Sequence, residues 1–174
     1  GASTDREKGE EVADYTMNYK LKKDASGAYT PSEEKSLSVY FYGDSSGATK
    51  RAPGATSDEL TGQINTYKYV AALYGTTTLI DGITATEKDA LQSITYNNLR
   101  ETGATTDREK GEEVADYTMN YKLKKDASGA YEPSEEKSLS VYFYGDSSSA
   151  TKRAPDATSD ELTGQINTYK YVAA

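Results

Sequence analysis

The chain contains no cysteine, no histidine and no tryptophan among its 174 residues. Without Cys or His there is no zinc finger, no thiol nucleophile, no haem ligand and no Ser-His-Asp triad. No apolar run approaches the roughly 20 residues that cross a bilayer as a helix. Acidic residues outnumber basic ones 28 to 20, for a net charge of -8. A nucleic-acid binder carries a basic stripe instead, so neither nucleic acid nor a membrane span is expected. There is no glycine pattern for a phosphate cradle and no Asn-x-Ser/Thr sequon.

Aliphatic residues are scarce. Leu, Ile, Val and Phe together number 23, a fraction low enough to raise the question of disorder. Two features answer it. The charges nearly balance, and 16 tyrosines are present, each able to bury a ring while its hydroxyl stays at a wet edge. A folded protein with small, tyrosine-built cores is expected.

What the chain does have is a repeat. Residues 1–72 return as residues 103–174, and four positions differ: Ser3/Thr105, Thr30/Glu132, Gly47/Ser149 and Gly54/Asp156. The period of 102 residues is too long for a solenoid unit and suits a small domain. Residues 73–102 occur once and hold seven aliphatics, as many as each 72-residue copy. A flexible tether is rich in Gly, Ser or Pro and poor in aliphatics, so this stretch is expected to be folded. On that reading residues 1–102 are a first repeat unit and 103–174 a second, truncated copy, with 73–102 able to complete either one. An incomplete copy could borrow the missing piece from another chain.

Two stretches alternate with period two. In residues 12–22, Tyr15, Met17, Tyr19 and Leu21 share a face; in 36–43, Leu37, Val39 and Phe41 do. Both read as half-buried strands, paired antiparallel. Residues 23–28 read as a turn, and Thr30-Pro31-Ser32-Glu33 as a cap opening a short helical turn. Thr56-Ser57-Asp58-Glu59 has the form of a capping box, and Leu60, Ile64, Tyr67, Ala71 and Tyr74 follow at helical spacing. A helix from 57 to 73 is therefore expected, ended by Gly75. Residues 76–80 read as a strand, Asp81-Gly82 as a tight turn and 87–100 as a second helix, with extension at Ile94-Thr95-Tyr96 as the alternative. The expected fold class is α+β: a small antiparallel sheet with packed helices, β-β-α-β-α per repeat, in tandem.

Candidate chemistry is sparse. Ser32-Glu33-Glu34-Lys35 and its copy at Ser134–Lys137 fit Ser-x-x-Lys, which brings Lys to Ser across one helical turn in serine acyl-enzymes, but the companion motifs are missing. The adjacent carboxylates Glu10/Glu11 and Glu33/Glu34 read as surface. The loop Asp24–Tyr29 resembles a calcium loop in its first residue only, lacking the alternating ligands and the closing Glu, so calcium is a weak expectation and no cofactor or metal site is assigned. If Leu37, Val39 and Phe41 face a core, Tyr40 and Tyr42 face away from it, as do Tyr142 and Tyr144; Tyr69 and its copy Tyr171 fall off the 60–64–67 stripe. These six tyrosines are the candidate ligand-binding residues, since tyrosine offers contact area at low entropic cost.

The expected function is non-enzymatic: a structural tandem-repeat module of a secreted or cell-surface protein, an adhesin stalk or filament subunit. Its partners would be neighbouring repeats or further copies of itself. Two other readings use the same residues: a tyrosine-based module binding a glycan or a host or matrix protein, and an intracellular or virion scaffold.

Overall fold

A computed structural model describes residues 10–146 and 149–172. Of the four positions that differ between the copies, Ser3 lies outside the described residues. The first copy forms β1 (Tyr15–Lys23), β2 (Tyr29–Asp44), β3 (Gly47–Lys50) and β4 (Leu60–Lys68). The once-only segment contributes two short helices, α1 (Ala71–Tyr74) and α2 (Thr77–Asp81), and then β5 (Leu91–Asn98). The second copy forms β6 (Val114–Lys125), β7 (Tyr131–Asp146), β8 (Ser149–Lys152) and β9 (Leu162–Lys170). No helix among the described residues is long and apolar enough to cross a membrane.

All nine strands belong to one antiparallel sheet, ordered β1-β2-β4-β5-β6-β7, with β3 on β2 and both β8 and β9 on β7. A strand has two edges. Because β4 holds one edge of β2 over residues 36–43, β1 and β3 share the other. The alternating stretches do form β1 and β2, with Met17 opposite Leu37 and Tyr15 opposite Val39, but β1 is not half-buried: no layer covers Tyr15, Tyr19 and Leu21 of its apolar face, which are exposed.

Register divides the sheet into two faces. On one, Leu37, Val39 and Phe41 sit opposite Tyr67, Asn65 and Gln63, which continue into Leu91, Ile94 and Tyr96 of β5. From there the row runs to Met119 and Tyr117 and then to Leu139 and Val141. The segment between β4 and β5 folds over the first-copy end of this face. Its Tyr74, Ile80 and Ile83 join Leu37, Val39, Phe41, Tyr67, Leu91 and Ile94 in the main core. The other face is lined by hydroxyls that pair across strands: Ser38 with Thr66 (3.1 Å), Thr95 with Thr118 (2.8 Å) and Ser140 with Thr168 (2.9 Å). Cross-strand hydroxyl pairs let an antiparallel sheet leave one face without a second layer.

The α+β expectation is overturned: the chain is mostly one large antiparallel sheet, with two short helices rather than packed helical layers. Of the helix expected over 57–73 only the end is helical, as α1, which Gly75 terminates as expected; residues 60–68 are strand β4. Glu59 does accept from the Thr56 amide as a capping box requires (3.3 Å), but in a turn, and β4 starts at once. Thr61, Gly62, Ile64 and Thr66 disfavour helix, and the buried positions Gln63, Asn65 and Tyr67 recur every second residue. Residues 76–80 are helix rather than strand, because the Thr76 hydroxyl accepts from the Leu79 amide and caps α2. The helix expected at 87–100 is β5, where Ile94, Thr95 and Tyr96 favour extended backbone. Residues 30–33 form no helical turn and lie within β2.

Candidate functional site at the repeat junction

The once-only segment is held by both copies. On the first-copy side β5 pairs with β4, and on the second-copy side with β6, so it bridges the two repeats within one sheet. Tyr96 of β5 and Tyr117 of β6 stack at 4.8 Å between ring centroids. The cap that precedes β5 also crosses the boundary. The Lys88 carbonyl accepts from the Ser134 amide (2.9 Å), and the Lys88 ammonium donates to Glu136 (2.9 Å), holding that carboxyl below its ordinary range. Tyr121 and Tyr131 of the second copy pack against the main core.

The first copy receives this cap through a row of polar donors rather than through apolar contact alone. Gln63 donates to Asn65 Oδ1 (2.7 Å) and to the Ala85 carbonyl (2.8 Å). Asn65 donates to Tyr67 Oη (2.9 Å) and to the same carbonyl (3.1 Å), and Tyr67 donates to the Glu87 carbonyl (3.2 Å). Arg51 grips Asp14 through Nε (2.8 Å) and Nη2 (2.6 Å), while its Nη1 donates to the carbonyls of Ile80 (2.8 Å) and Ile83 (3.2 Å). A buried loop has carbonyls that must be met, and these side chains meet them. Burial pushes the Tyr67 and Tyr74 hydroxyls well above the ordinary tyrosine range, and Tyr121 up to about 12.

Beyond β5 the chain is tied down again. Arg108, buried, donates to Asn98 (3.3 Å), to Glu101 (3.0 Å) and to the carbonyls of Ala154 (3.0 Å) and Ala157 (2.7 Å). Residues just before β6 reach back to first-copy loops: Glu113 accepts from the Thr61 amide (2.9 Å) and Asp107 from the Ser45 amide (3.0 Å).

The same sequences stand in different surroundings in the second copy. Tyr67 is fully buried, whereas its copy Tyr169 is 52% exposed; Leu60 is 4% exposed and Leu162 74%. Gln165 still donates to Asn167 (2.7 Å) and Asn167 to Tyr169 (3.2 Å). The ladder is therefore made within the strand itself and does not depend on the cap. At the other end of the sheet, Tyr19 and Tyr29 are exposed, while their copies Tyr121 and Tyr131 lie under the cap.

The six candidate tyrosines are not gathered in one place. Tyr42 and Tyr144 are 3% and 5% exposed, and their hydroxyls donate to the carbonyls of Ala13 and Ala115. Tyr40 and Tyr142 are half-buried beside them and bond Thr16 (3.0 Å) and Thr118 (2.8 Å). Tyr69 packs against the main core, and Tyr171 is exposed after β9. Ser32 and Lys35 lie in extended strand β2, where no helical turn brings them together. The Asp24 carboxylate is taken up by its own turn, accepting from the Ser26 hydroxyl (2.6 Å) and from the amides of Ser26 (2.8 Å) and Ala28 (3.1 Å), which hold it below its ordinary range. Among the described residues no three acidic side chains converge as metal ligands would.

The Gln-x-Asn-x-Tyr ladder was not legible as a site. Its signal was available: polar residues at period two, repeated unchanged at 63–67 and 165–169. Comparison with protein-family models, curated proteins and solved structures finds no match for the chain.

Proposed function

We propose that the chain is a non-enzymatic structural module that extends a single β-sheet by repetition, in a stalk or filament of a secreted or cell-surface protein. The observation that carries this reading is the double pairing of β5, which joins the last strand of one repeat to the first strand of the next. The period then adds four strands in line, because β1 and β6 have the same sequence and stand at equivalent places. At a strand spacing of about 4.8 Å, each period lengthens the sheet by roughly 19 Å and twists it by roughly 80–100°. Near-identical copies and an acidic, hydroxyl-rich surface support an exposed structural role.

The test is an array series with two, three and four copies of the 72-residue repeat, separated by the 30-residue segment, measured by small-angle scattering and electron microscopy. The length should grow by about 19 Å per period. Steps above about 30 Å, the diameter of a separate small domain, would overturn the continuous sheet. Antibody to the repeat should label intact cells of the source; labelling only after permeabilisation would overturn the surface placement.

A further inference from the structure

The second copy carries a complete duplicate of the surface that the cap and β5 cover on the first, and this duplicate is open. β9 has one edge paired to β7, in the same register that β4 uses on β2: Leu139 with Tyr169, Val141 with Asn167, Phe143 with Gln165. Its residues are exposed almost throughout. On β4 the corresponding free edge takes β5, with Gln63 opposite Tyr96, Asn65 opposite Ile94 and Tyr67 opposite Leu91.

Three further features of this surface are already in place. The Gln165–Asn167–Tyr169 ladder is formed in advance of any cover. Arg153, the copy of Arg51, bonds Asp116 (2.7 Å), but its buried Nε has no hydrogen-bond partner. Where Arg51 has its side chain 12% exposed and spans to two cap carbonyls, the Arg153 side chain is 41% exposed. The apolar floor is also there: Leu139 and Phe143 are half-buried where Leu37 and Phe41 are fully buried.

We propose that β9, its Gln165–Asn167–Tyr169 ladder and Arg153 form an acceptor site for a strand-plus-cap segment with the pattern of residues 70–100. The incoming strand pairs antiparallel along β9, with its counterpart of Ile94 opposite Asn167 and its counterpart of Leu91 opposite Tyr169. The turn ahead of it presents carbonyls to Gln165 and Asn167 as Ala85 does on the first copy, and to Tyr169 as Glu87 does. Carbonyls equivalent to those of Ile80 and Ile83 meet Arg153. The partner is thus defined by chemistry: a tyrosine- and isoleucine-bearing segment whose loop carbonyls match a fixed row of donors. An apolar strand without that loop leaves the donors unmet.

The proposal deepens the structural reading above and rests on it, yet the two fail separately. Arrays that lengthen as beads while the segment still protects β9 sink the continuous sheet and leave the acceptor site standing; absence of protection from both the free and the fused segment sinks the acceptor site.

The experiment adds a synthetic peptide with the sequence of residues 69–100 to the 174-residue chain and follows backbone amide exchange by NMR or mass spectrometry. At saturating peptide, exchange over Leu162–Lys170 should slow at least tenfold while β4 is unchanged. A peptide carrying Ile94→Asp, or a chain carrying Asn167→Asp, should need at least tenfold more peptide for the same protection. Because a free peptide can fail to order, a second chain carries the sequence of residues 73–102 fused after residue 174; it should show the same protection of β9 without added peptide. No protection of β9 in both experiments overturns the proposal. So does protection that moves to β4 or β6, which means displacement of the native segment. Protection of β9 that rises with protein concentration alone, with no effect of peptide, assigns the edge to a second copy of β9 and overturns it as well.

Discussion

The duplication allows one substitution to be made twice in the same strand sequence with different consequences. Tyr67 and Tyr169 occupy equivalent positions in β4 and β9, opposite Leu37 and Leu139 respectively. Tyr67 is fully buried, its ring 5.4 Å from that of Tyr74 and its hydroxyl between Asn65 and the Glu87 carbonyl. Truncation to Ala removes a whole buried ring, for which about 3–5 kcal/mol is the usual loss. In a chain of this length each kcal/mol lowers Tm by roughly 2–4 °C, so Tyr67→Ala should lower Tm by roughly 6–20 °C. Tyr169→Ala removes a half-exposed ring with no cover above it and should stay below about 1 kcal/mol.

The hydroxyl can be separated from the ring. Tyr67→Phe keeps the packing and removes the donor to Glu87 and the acceptor for Asn65, a loss of about 1–2 kcal/mol. Tyr169→Phe leaves Asn167 facing water and should be silent. Urea unfolding followed by far-ultraviolet circular dichroism reads all four variants on one scale, with the slope as a check that the surface exposed on unfolding is unchanged. Equal losses at 67 and 169 would refute the assignment of the cap to the first copy. A larger loss at 169 would reverse it.

Gly43→Ala should destabilise by about 1–3 kcal/mol, since a Cβ there would lie 2.1 Å from the Gly47 carbonyl oxygen and force the β2–β3 turn apart; thermal melting checks it. Arg108→Ala should cost about 2–4 kcal/mol in urea unfolding, because the carbonyls of Ala154 and Ala157 lose their donor inside the structure. Stability should fall at alkaline pH. The neutral forms of Tyr67, Tyr74 and Tyr121 are favoured on folding, so nothing is lost below the ordinary tyrosine value of 10.0; above it the unfolded rings ionise first, and for Tyr121 the fall runs to about 12. Each fully buried ring contributes a slope of up to about 1.4 kcal/mol per pH unit over its window. A melting temperature that stays level from pH 9 to 11 would contradict the burial of these hydroxyls.

The strands β1 and β2 were legible because apolar residues recur at every second position along each, the pattern that period-two reading detects, although on β1 most of that row is exposed. β4 was not, for a specific reason. Its inward face is Gln63, Asn65 and Tyr67, and its apolar Ile64 points the other way, beside Tyr40. A polar row turned inward scores as surface in any hydrophobic pattern, and the residues that remain, Leu60, Ile64 and Tyr67, happen to fall at helical spacing. What turns the row inward is a set of carbonyls some 20 residues away, those of Ala85 and Glu87. No local signal contains them. The capping box shows the same limit from the other side: Glu59 and Thr56 make the local contact their sequence promises, and sheet pairing decides what comes next. The apolar weight of residues 73–102 was legible, and with it the expectation of folded structure. That its first part is a cap and its last part a strand was not.

The placement of polar and apolar residues also explains why this sheet can be long. A sheet buried on both faces needs two layers of partners for every strand, and 23 Leu, Ile, Val and Phe residues could not supply them. Here one face is closed by hydroxyl pairs made between neighbouring strands, which need nothing from outside the sheet. The largest group of buried apolar residues lies where cap meets sheet, and two smaller ones gather around Tyr42 with Ala52 and Ala55 and around Tyr144 with Val114, Ala154 and Ala157. Such a sheet has no natural width. It ends where the next cap and strand are not supplied, and its edges are copies of surfaces that are paired inside it: β1 repeats β6, and β9 repeats β4. An exposed edge of this kind ordinarily invites indiscriminate pairing. In β9 the donors that must be met are fixed in number and position, so a strand arriving without its carbonyl-bearing turn leaves them unsatisfied. Growth of the sheet is therefore limited by recognition of the cap rather than by pairing of the strand.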